Sequence, residues 1–206
     1  MQVIHIVPSL FEYFTDIKEL AFELIDAINV EGVEAEPVVF EVSPPTRAEQ
    51  ARILDVAPNI RPTFTKEMKV EQVVDEFAGY DLVHLHCPFF GGAGKILKWK
   101  QAHPEKPLLV TYYHDLAFTD LFSLWVRWYN AYYLPKLFTV ADMVTCFSAD
   151  DFNHSHGRYW LNDSRKLFPL GGSLNFTPLT DHSYEVKLHD KEEIVANILA
   201  AYQMLI

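Results

Sequence analysis

The chain has 206 residues, of which 50% are hydrophobic and 22% are charged, and its formal net charge is -11. This length fits one large domain or two small ones with a substantial core, and the composition is typical of a globular protein and excludes a disordered one. The negative charge argues against nucleic acid and anionic membrane surfaces as partners, because both require clustered Lys and Arg.

Strands alternate with helices along the whole chain. Apolar runs predict strands at residues 2–7, 38–40, 82–85, 108–112, 143–147 and 166–169. Apolar periodicity predicts helices at residues 17–28, 68–77, 93–103 and 190–206, a helix after Ser148, and a long aromatic helix at residues 115–137 that Pro135 interrupts. This alternation predicts a doubly wound parallel sheet of the α/β class.

Residues 43–65 interrupt the alternation. They contain four prolines without a clear period, which indicates a long loop with a helical turn at residues 48–54. Long loops of this kind are uncommon unless they are functional or flexible.

The stretch from Tyr80 to Gly94 carries the first candidate site. His84 and His86 are two residues apart on a predicted strand, so they point to the same face. The strand is followed by Pro88 and by Gly91–Gly92, at the carboxyl edge where α/β proteins bind ligands. We expect His84 to be a core residue, and His86, which is nearer the strand end, to lie closer to the ligand cleft.

The glycine turn before the third predicted helix does not match a phosphate-binding loop. That motif requires glycine and Ser/Thr at the positions that Phe89 and Ile96 occupy. Two interpretations of Gly91 and Gly92 remain open: amides at a helix N-terminus that bind an anion or a sugar hydroxyl, or a tight turn that requires small residues.

His114 is the second candidate, because it follows the strand predicted at residues 108–112 and lies at the same sheet edge. A histidine there can hydrogen-bond a polar ligand or relay a proton near neutral pH, with Tyr113 and Asp115 beside it. The alternative is a helix-initiating residue with Asp115 as the cap. The pairs His84/His86 and His154/His156 are too small to define a metal site, so we predict no metal.

The aromatic helix has more large side chains than a core needs. They recur at helical spacing, which favours core packing, while their density suggests that some face a partner or an apolar ligand. The set comprises Phe118, Leu121, Phe122, Trp125, Trp128, Tyr129, Tyr132 and Tyr133.

Two cysteines, Cys87 and Cys146, lie inside apolar runs, which favours buried thiols in a reducing cytoplasm. The N-terminus lacks the features of a signal peptide, and no run is long and apolar enough to span a bilayer. We therefore expect a cytoplasmic chain without an integral membrane segment.

Five segments, in order, resemble the N-terminal half of the group 1 retaining glycosyltransferases of the GT-B fold. They are Val3–Phe11 (VIHIVPSLF), Asp81–Gly92 (DLVHLHCPFFGG), Pro107–Asp115 (PLLVTYYHD), Ala141–Ser148 (ADMVTCFS) and Phe168–Pro178 (FPLGGSLNFTP). The resemblance implies a Rossmann-like domain at residues 1–180, followed at 181–206 by a tail with a docked helix.

The resemblance also implies a function. The chain would be the acceptor-binding half of a nucleotide-sugar-dependent glycosyl transfer, with a sugar or glycan as acceptor and no cofactor of its own. His114 falls on the position of the family's catalytic cleft histidine. The implied substrate-binding residues are Ser9, His86, Pro88, Gly91, Gly92, Tyr113 and Asp115.

Departures from the family pattern leave several functions open. Thr15–Asp16 replaces a Gly-Gly pair beside the donor diphosphate, Leu170 replaces an Asn, and the donor-binding domain is outside this sequence. The first hypothesis is an enzyme half that requires a donor-binding subunit. The second is a non-catalytic module that binds glycans or regulates a transferase, and the third is an α/β protein with an unrelated small ligand. An exposed aromatic surface would favour a homodimer or a protein partner.

Overall fold

A computed structural model describes residues 1–8, 15–40, 52–54, 77–115, 121–180 and 183–206. Ser9, the predicted helix at residues 68–76 and most of the predicted loop at 43–65 lie outside the described residues, as do residues 116–120 of the predicted aromatic helix.

A seven-stranded parallel sheet forms the centre of the molecule, in the order β3-β2-β1-β4-β5-β6-β7. The strands are β1 (Gln2–Val7), β2 (Glu34–Phe40), β3 (Arg52–Leu54), β4 (Leu82–Cys87), β5 (Leu108–Tyr112), β6 (Met143–Cys146) and β7 (Leu167–Pro169). The order reverses between β1 and β4, and this is the point where doubly wound sheets open a crevice at their carboxyl ends.

Helices cover both faces of the sheet. They are α1 (Thr15–Val30), α2 (Ala93–Ala102), α3 (Leu121–Val140), α4 (Ala149–His154), α5 (Gly157–Trp160) and α6 (Lys191–Leu205), with a 3-10 turn at Ser164–Lys166. Alternate residues of each buried strand face opposite helical layers. The core on one face contains α1 and α6, and the core on the other contains α2 and much of α3. The predicted α/β class is therefore confirmed.

Two local predictions are wrong. Residues Arg52–Leu54 form a strand that pairs in parallel with Val38–Phe40, where the sequence predicted a helical turn. Pro135 does not interrupt its helix, because α3 is continuous from Leu121 to Val140. The residues Leu134, Leu137 and Phe138 around this proline are all buried, and their packing offsets the hydrogen bond that proline cannot donate.

The C-terminal segment begins with a hairpin that the sequence did not predict. Strands β8 (Ser173–Thr180) and β9 (Ser183–His189) pair in antiparallel register, and α6 follows them. Helix α6 packs on the α1 face of the sheet, with Ile194, Ile198 and Tyr202 fully buried. The returning helix predicted for the end of the chain is therefore present and docked.

None of the helices in the described residues is long and apolar enough to cross a membrane.

Candidate active site

His114 lies just past the carboxyl end of β5, where both of its ring nitrogens contact acceptors. Its Nδ1 donates to the backbone oxygen of Asp115 at 2.8 Å, and its Nε2 is 2.7 Å from Oδ2 of Asp16 in the first turn of α1. Because a carbonyl and a carboxylate are both acceptors, this geometry favours the doubly protonated imidazolium.

The electrostatic environment of His114 agrees with this protonation state. Burial by itself lowers the pKa of the ring, but the hydrogen bond and the charge of Asp16 outweigh burial and raise the pKa above its usual value. The second carboxylate oxygen of Asp16 accepts from the Ile17 amide at 2.8 Å, which holds the carboxylate in place.

Asp115, the residue after His114, forms hydrogen bonds that hold the carboxyl edge of the sheet against the short helices. Its carboxylate accepts from the Tyr112 hydroxyl. It also accepts from the backbone amide of His156 at 2.9 Å, and the His156 ring lies 3.1 Å away. These bonds connect the end of β5 to the turn between α4 and α5, so the sheet edge and the short helices form one surface.

Two cavities meet at this edge and share Tyr112, His114 and Asp115 as a common wall. The larger, of about 430 Å³, lies between the strand ends, α3 and α5. Its other lining residues are Pro88, Arg127, Trp128, Asn130, Ala131, Leu134, His156 and Trp160. The smaller, of about 300 Å³, lies toward β6 and α4. A ligand in either cavity would lie beside His114.

Asn130 in the larger cavity has an unsatisfied acceptor. Its side chain is 3% exposed, and its Nδ2 donates to the backbone oxygen of Val126 at 3.0 Å. Its Oδ1 is buried and has no hydrogen-bond partner among the described residues. A buried polar atom left unpaired costs about 1–3 kcal/mol, and ligand sites are among the places where that cost is tolerated.

Beneath the edge, a buried row of polar side chains crosses the sheet on the α1 and α6 face. We call it the histidine chain, and its order is Thr145, Thr111, His84, Tyr202, His5, His86, Tyr113. Six hydrogen bonds of 2.6–3.1 Å join these seven residues. Parallel register brings His5 of β1 opposite His84 of β4, and α6 supplies Tyr202 from above.

The three histidines of the histidine chain are held uncharged. Burial lowers the pKa of each, that of His86 to about 3, and the neighbouring imidazoles lower those of His5 and His84 further. Nitrogen atoms of the three rings lie within 4.8 Å of one another, so the cluster is compatible with a metal ion. All six ring nitrogens already make hydrogen bonds, however, and the geometry is that of a satisfied polar network.

The glycine turn lies under helix α3. Gly91 has a φ of +97°, a left-handed conformation that favours glycine, and both Gly91 and Gly92 are buried. The first amide of α2, that of Ala93, donates to the Tyr129 hydroxyl at 3.1 Å. The Tyr129 hydroxyl therefore takes the hydrogen bond of the amide that one interpretation of the sequence left available for an anion.

The structure brings together some of the predicted substrate-binding residues. Pro88, His114 and Asp115 line the larger cavity, and Tyr113, His114 and Asp115 line the smaller one. His86 is fully buried below them and reaches this edge through Tyr113, whose hydroxyl is 2.8 Å from its Nδ1. Gly91 and Gly92 line neither cavity, and Ser9 is outside the described residues.

Sequence reasoning missed three contributors. Asp16 was noted as part of the Thr15–Asp16 departure from the family pattern, and its contact with His114 joins positions 98 apart in the chain. His5 has no nearby histidine in sequence, and only the pairing of β1 with β4 reveals its role. Asn130 lies inside the aromatic helix, where its polarity among large apolar residues was the available signal.

Strand order and the returning helix define a Rossmann-like α/β protein, and solved structures agree with this fold class. The chain resembles an alpha-glucosyltransferase in complex with UDP, with a TM-score of 0.54 and 10% identity over 82% of this chain and 43% of that one.

Further complexes named alpha-glucosyltransferase give the same result. One with UDP and a 13-mer DNA containing a HMU base has a TM-score of 0.55 and 11% identity, over 82% of this chain and 42% of that one. Another, with UDP-glucose and DNA containing an abasic site, has a TM-score of 0.54 and 13% identity, over 82% of this chain and 41% of that one. The chain thus spans less than half the length of these neighbours, and identities this low establish the fold alone.

The chain belongs to Glycosyltransferase Family 4, whose sequence model matches residues 18–166. No curated protein matches the sequence.

Proposed function

We propose that this chain is the acceptor-binding half of a retaining, nucleotide-sugar-dependent glycosyltransferase, equivalent to the N-terminal half of a group 1 enzyme. The main support is the position of His114, on the wall shared by two cavities at the carboxyl edge of the sheet. The proposal assigns the donor-binding domain to a partner subunit, and this chain covers 43% of the neighbour in complex with UDP.

In this proposal His114 acts as a fixed cation beside the substrate. Asp16 and the Asp115 carbonyl contact its two ring nitrogens, and the raised pKa favours the protonated ring. Transfer would form a bond between an acceptor hydroxyl oxygen and the anomeric carbon of the sugar, and would break the bond to the nucleoside diphosphate. The diphosphate would leave with the hydroxyl proton. A protonated His114 cannot take that proton, so its proposed contribution is to orient and stabilise polar groups.

The proposed acceptor is a sugar, a glycan or another alcohol. The structural neighbours were solved with DNA. This chain carries a net charge of -11, which repels a polyanion. Cys87 and Cys146 are both buried free thiols, which supports a reducing, cytoplasmic location as part of the proposal.

The Asp16–His114 pair also supports a second candidate, a non-catalytic module that binds a glycan or regulates a full-length transferase. Asp16 occupies the position where related sequences have glycine beside the donor diphosphate. Its carboxylate engages Nε2 of His114, the ring nitrogen that would otherwise be free for a substrate. In this alternative, the pair replaces the substrate contact.

An assay of the assembled complex distinguishes the two. The tagged chain and its H114A variant would be purified with bound partners from the native host and assayed for transfer from radiolabelled UDP-glucose and other nucleotide sugars. We expect transfer with the wild-type complex and a loss of about 100-fold in H114A. H189A, which changes an exposed histidine that lines neither cavity, is the control.

Calorimetry completes the test. The isolated chain should not bind UDP-glucose, because the donor site belongs to the partner. Equal activity of H114A and wild-type complexes would refute the catalytic role, and an inactive complex that still binds glycans would favour the non-catalytic module.

A further inference from the structure

The larger cavity has mainly apolar walls. The Trp128 side chain on α3 is 62% exposed, and Trp160 on α5 is partly exposed. Between them the strand ends contribute Tyr112 and Pro88, and α3 contributes Leu134. Exposed indoles beside a cavity are unusual unless a ligand covers them, because their burial is one of the largest apolar gains that a side chain offers.

Polar groups in this cavity are few and are placed at its edge and in α3. His114 and Asp115 form the wall shared with the smaller cavity, Arg127 and His156 lie near the solvent, and Asn130 has the unpaired Oδ1. The volume of about 430 Å³ falls in the range of small-molecule sites, roughly 300–1,000 Å³.

We propose that this cavity binds an acceptor alcohol that carries a flat apolar ring. This inference rests on the proposed function and specifies its acceptor. The ring lies against Trp128 and Trp160, while a hydroxyl group of the same molecule lies at the shared wall formed by His114 and Asp115. A sugar that carries no apolar ring would leave the aromatic walls in contact with water. The cavity should therefore bind such a sugar more weakly.

The purified chain and phenyl β-glucoside test this proposal, with methyl β-glucoside as the ligand that lacks the ring. Binding is measured by calorimetry and by quenching of tryptophan fluorescence. We expect phenyl glucoside to bind about 10-fold more tightly than methyl glucoside, the size of one aromatic contact. W128A and W160A should each weaken the binding of phenyl glucoside by a similar factor and leave the binding of methyl glucoside unchanged.

Two controls match these variants. Leu124 is 53% exposed on the same helix as Trp128, and Tyr159 is 68% exposed beside Trp160, but neither lines the cavity. L124A and Y159A should therefore bind phenyl glucoside as the wild type does. Thermal unfolding of each variant verifies that it is folded.

Equal binding of the two glucosides, or equal losses in W128A and L124A, would overturn the proposal. Failure of this inference is distinct from failure of the proposed function. If the partner complex transfers sugar while W128A and W160A behave as wild type, the acceptor-binding function stands and this cavity is not its ring site. If phenyl glucoside binds as expected but the complex transfers no sugar to it, the cavity assignment stands and the transferase proposal fails.

Discussion

Asp16 and His114 form an ion pair between the first turn of α1 and the end of β5, with 2.7 Å between Oδ2 and Nε2. Both side chains are largely buried, at 10% and 19% exposure, so solvent screens the pair only partly. The pair brings the carboxylate that departs from the family pattern into contact with the histidine expected to be catalytic. Its strength therefore bears on both candidate functions.

Removing the charge of Asp16 should lower the pKa of His114. In D16N the hydrogen-bonding shape is kept, but the carboxylate that outweighs burial is lost. Titration of the histidine ring protons by NMR measures the change. Glu19, exposed on the same helix, gives the control E19Q, in which the His114 pKa should be that of the wild type. An unchanged pKa in D16N would show that the ion pair is absent in solution.

The same substitution should destabilise the protein in a pH-dependent way. A folded-state pKa raised above the unfolded value of about 6.5 contributes stability that is full below pH 6.5 and is lost as pH rises through the raised value. D16N should therefore cost about 2 kcal/mol at pH 6, the size of a hydrogen bond to a charged group, and less at pH 9. Urea unfolding at the two pH values measures this, and an equal cost at both would contradict the assignment.

Low pH should lower the stability of the folded protein because of the histidine chain. The pKa values of His5, His84 and His86 are lowered by burial, that of His86 to about 3, whereas the unfolded chain takes up these protons near pH 6.5. The unfolding free energy should therefore fall as pH drops below 6.5, by up to about 4 kcal/mol per pH unit if all three protons are taken up. Denaturant melts between pH 7.5 and 5 measure the slope. His154 is exposed, so H154Q should have the wild-type slope, and a flat profile would refute the buried neutral state.

Tyr202 should stabilise the protein through its hydroxyl. The oxygen lies 2.7 Å from Nδ1 of His84 and 3.1 Å from Nε2 of His5, and it joins the two halves of the histidine chain. Y202F keeps the ring but leaves two buried nitrogens with one partner fewer, so we expect a loss of about 1–3 kcal/mol by urea unfolding. Y132F changes a half-exposed tyrosine and should be neutral. Equal stability of Y202F and wild type would place the hydroxyl outside the network.

Gly172 should not tolerate a side chain. A Cβ there would lie 2.2 Å from Cδ1 of Ile194 on α6 and 2.8 Å from the backbone oxygen of His189. Since the backbone cannot move away, G172A should cost about 1–3 kcal/mol by overpacking and loosen α6. Gly79 has no atom within 4 Å of such a Cβ, so G79A is the matched control. If both variants unfold at the same denaturant concentration, α6 does not dock as described.

Much of the sheet was predictable because its strands are encoded locally. Gln2–Val7 and Leu108–Tyr112 have the predicted bounds, since each is an apolar run buried on both faces. The antiparallel hairpin between β8 and β9 was missed although apolar and polar residues alternate along Ser183–His189, which is the two-residue period of a half-buried strand. Arg52–Leu54 was missed because a three-residue edge strand carries too little pattern and depends on its pairing with Val38–Phe40.

The sequence by itself determined the α/β class, the family resemblance and the place of His114 at a strand end, because apolar periodicity and short motifs are properties of neighbouring residues. Only the tertiary structure decided that Asp16 pairs with His114, that His5 completes a buried polar row and that Asn130 and Trp160 line one cavity. Those contacts depend on the register of parallel strands and on how helices pack across them. Side chains far apart in sequence come together only when the whole sheet has formed.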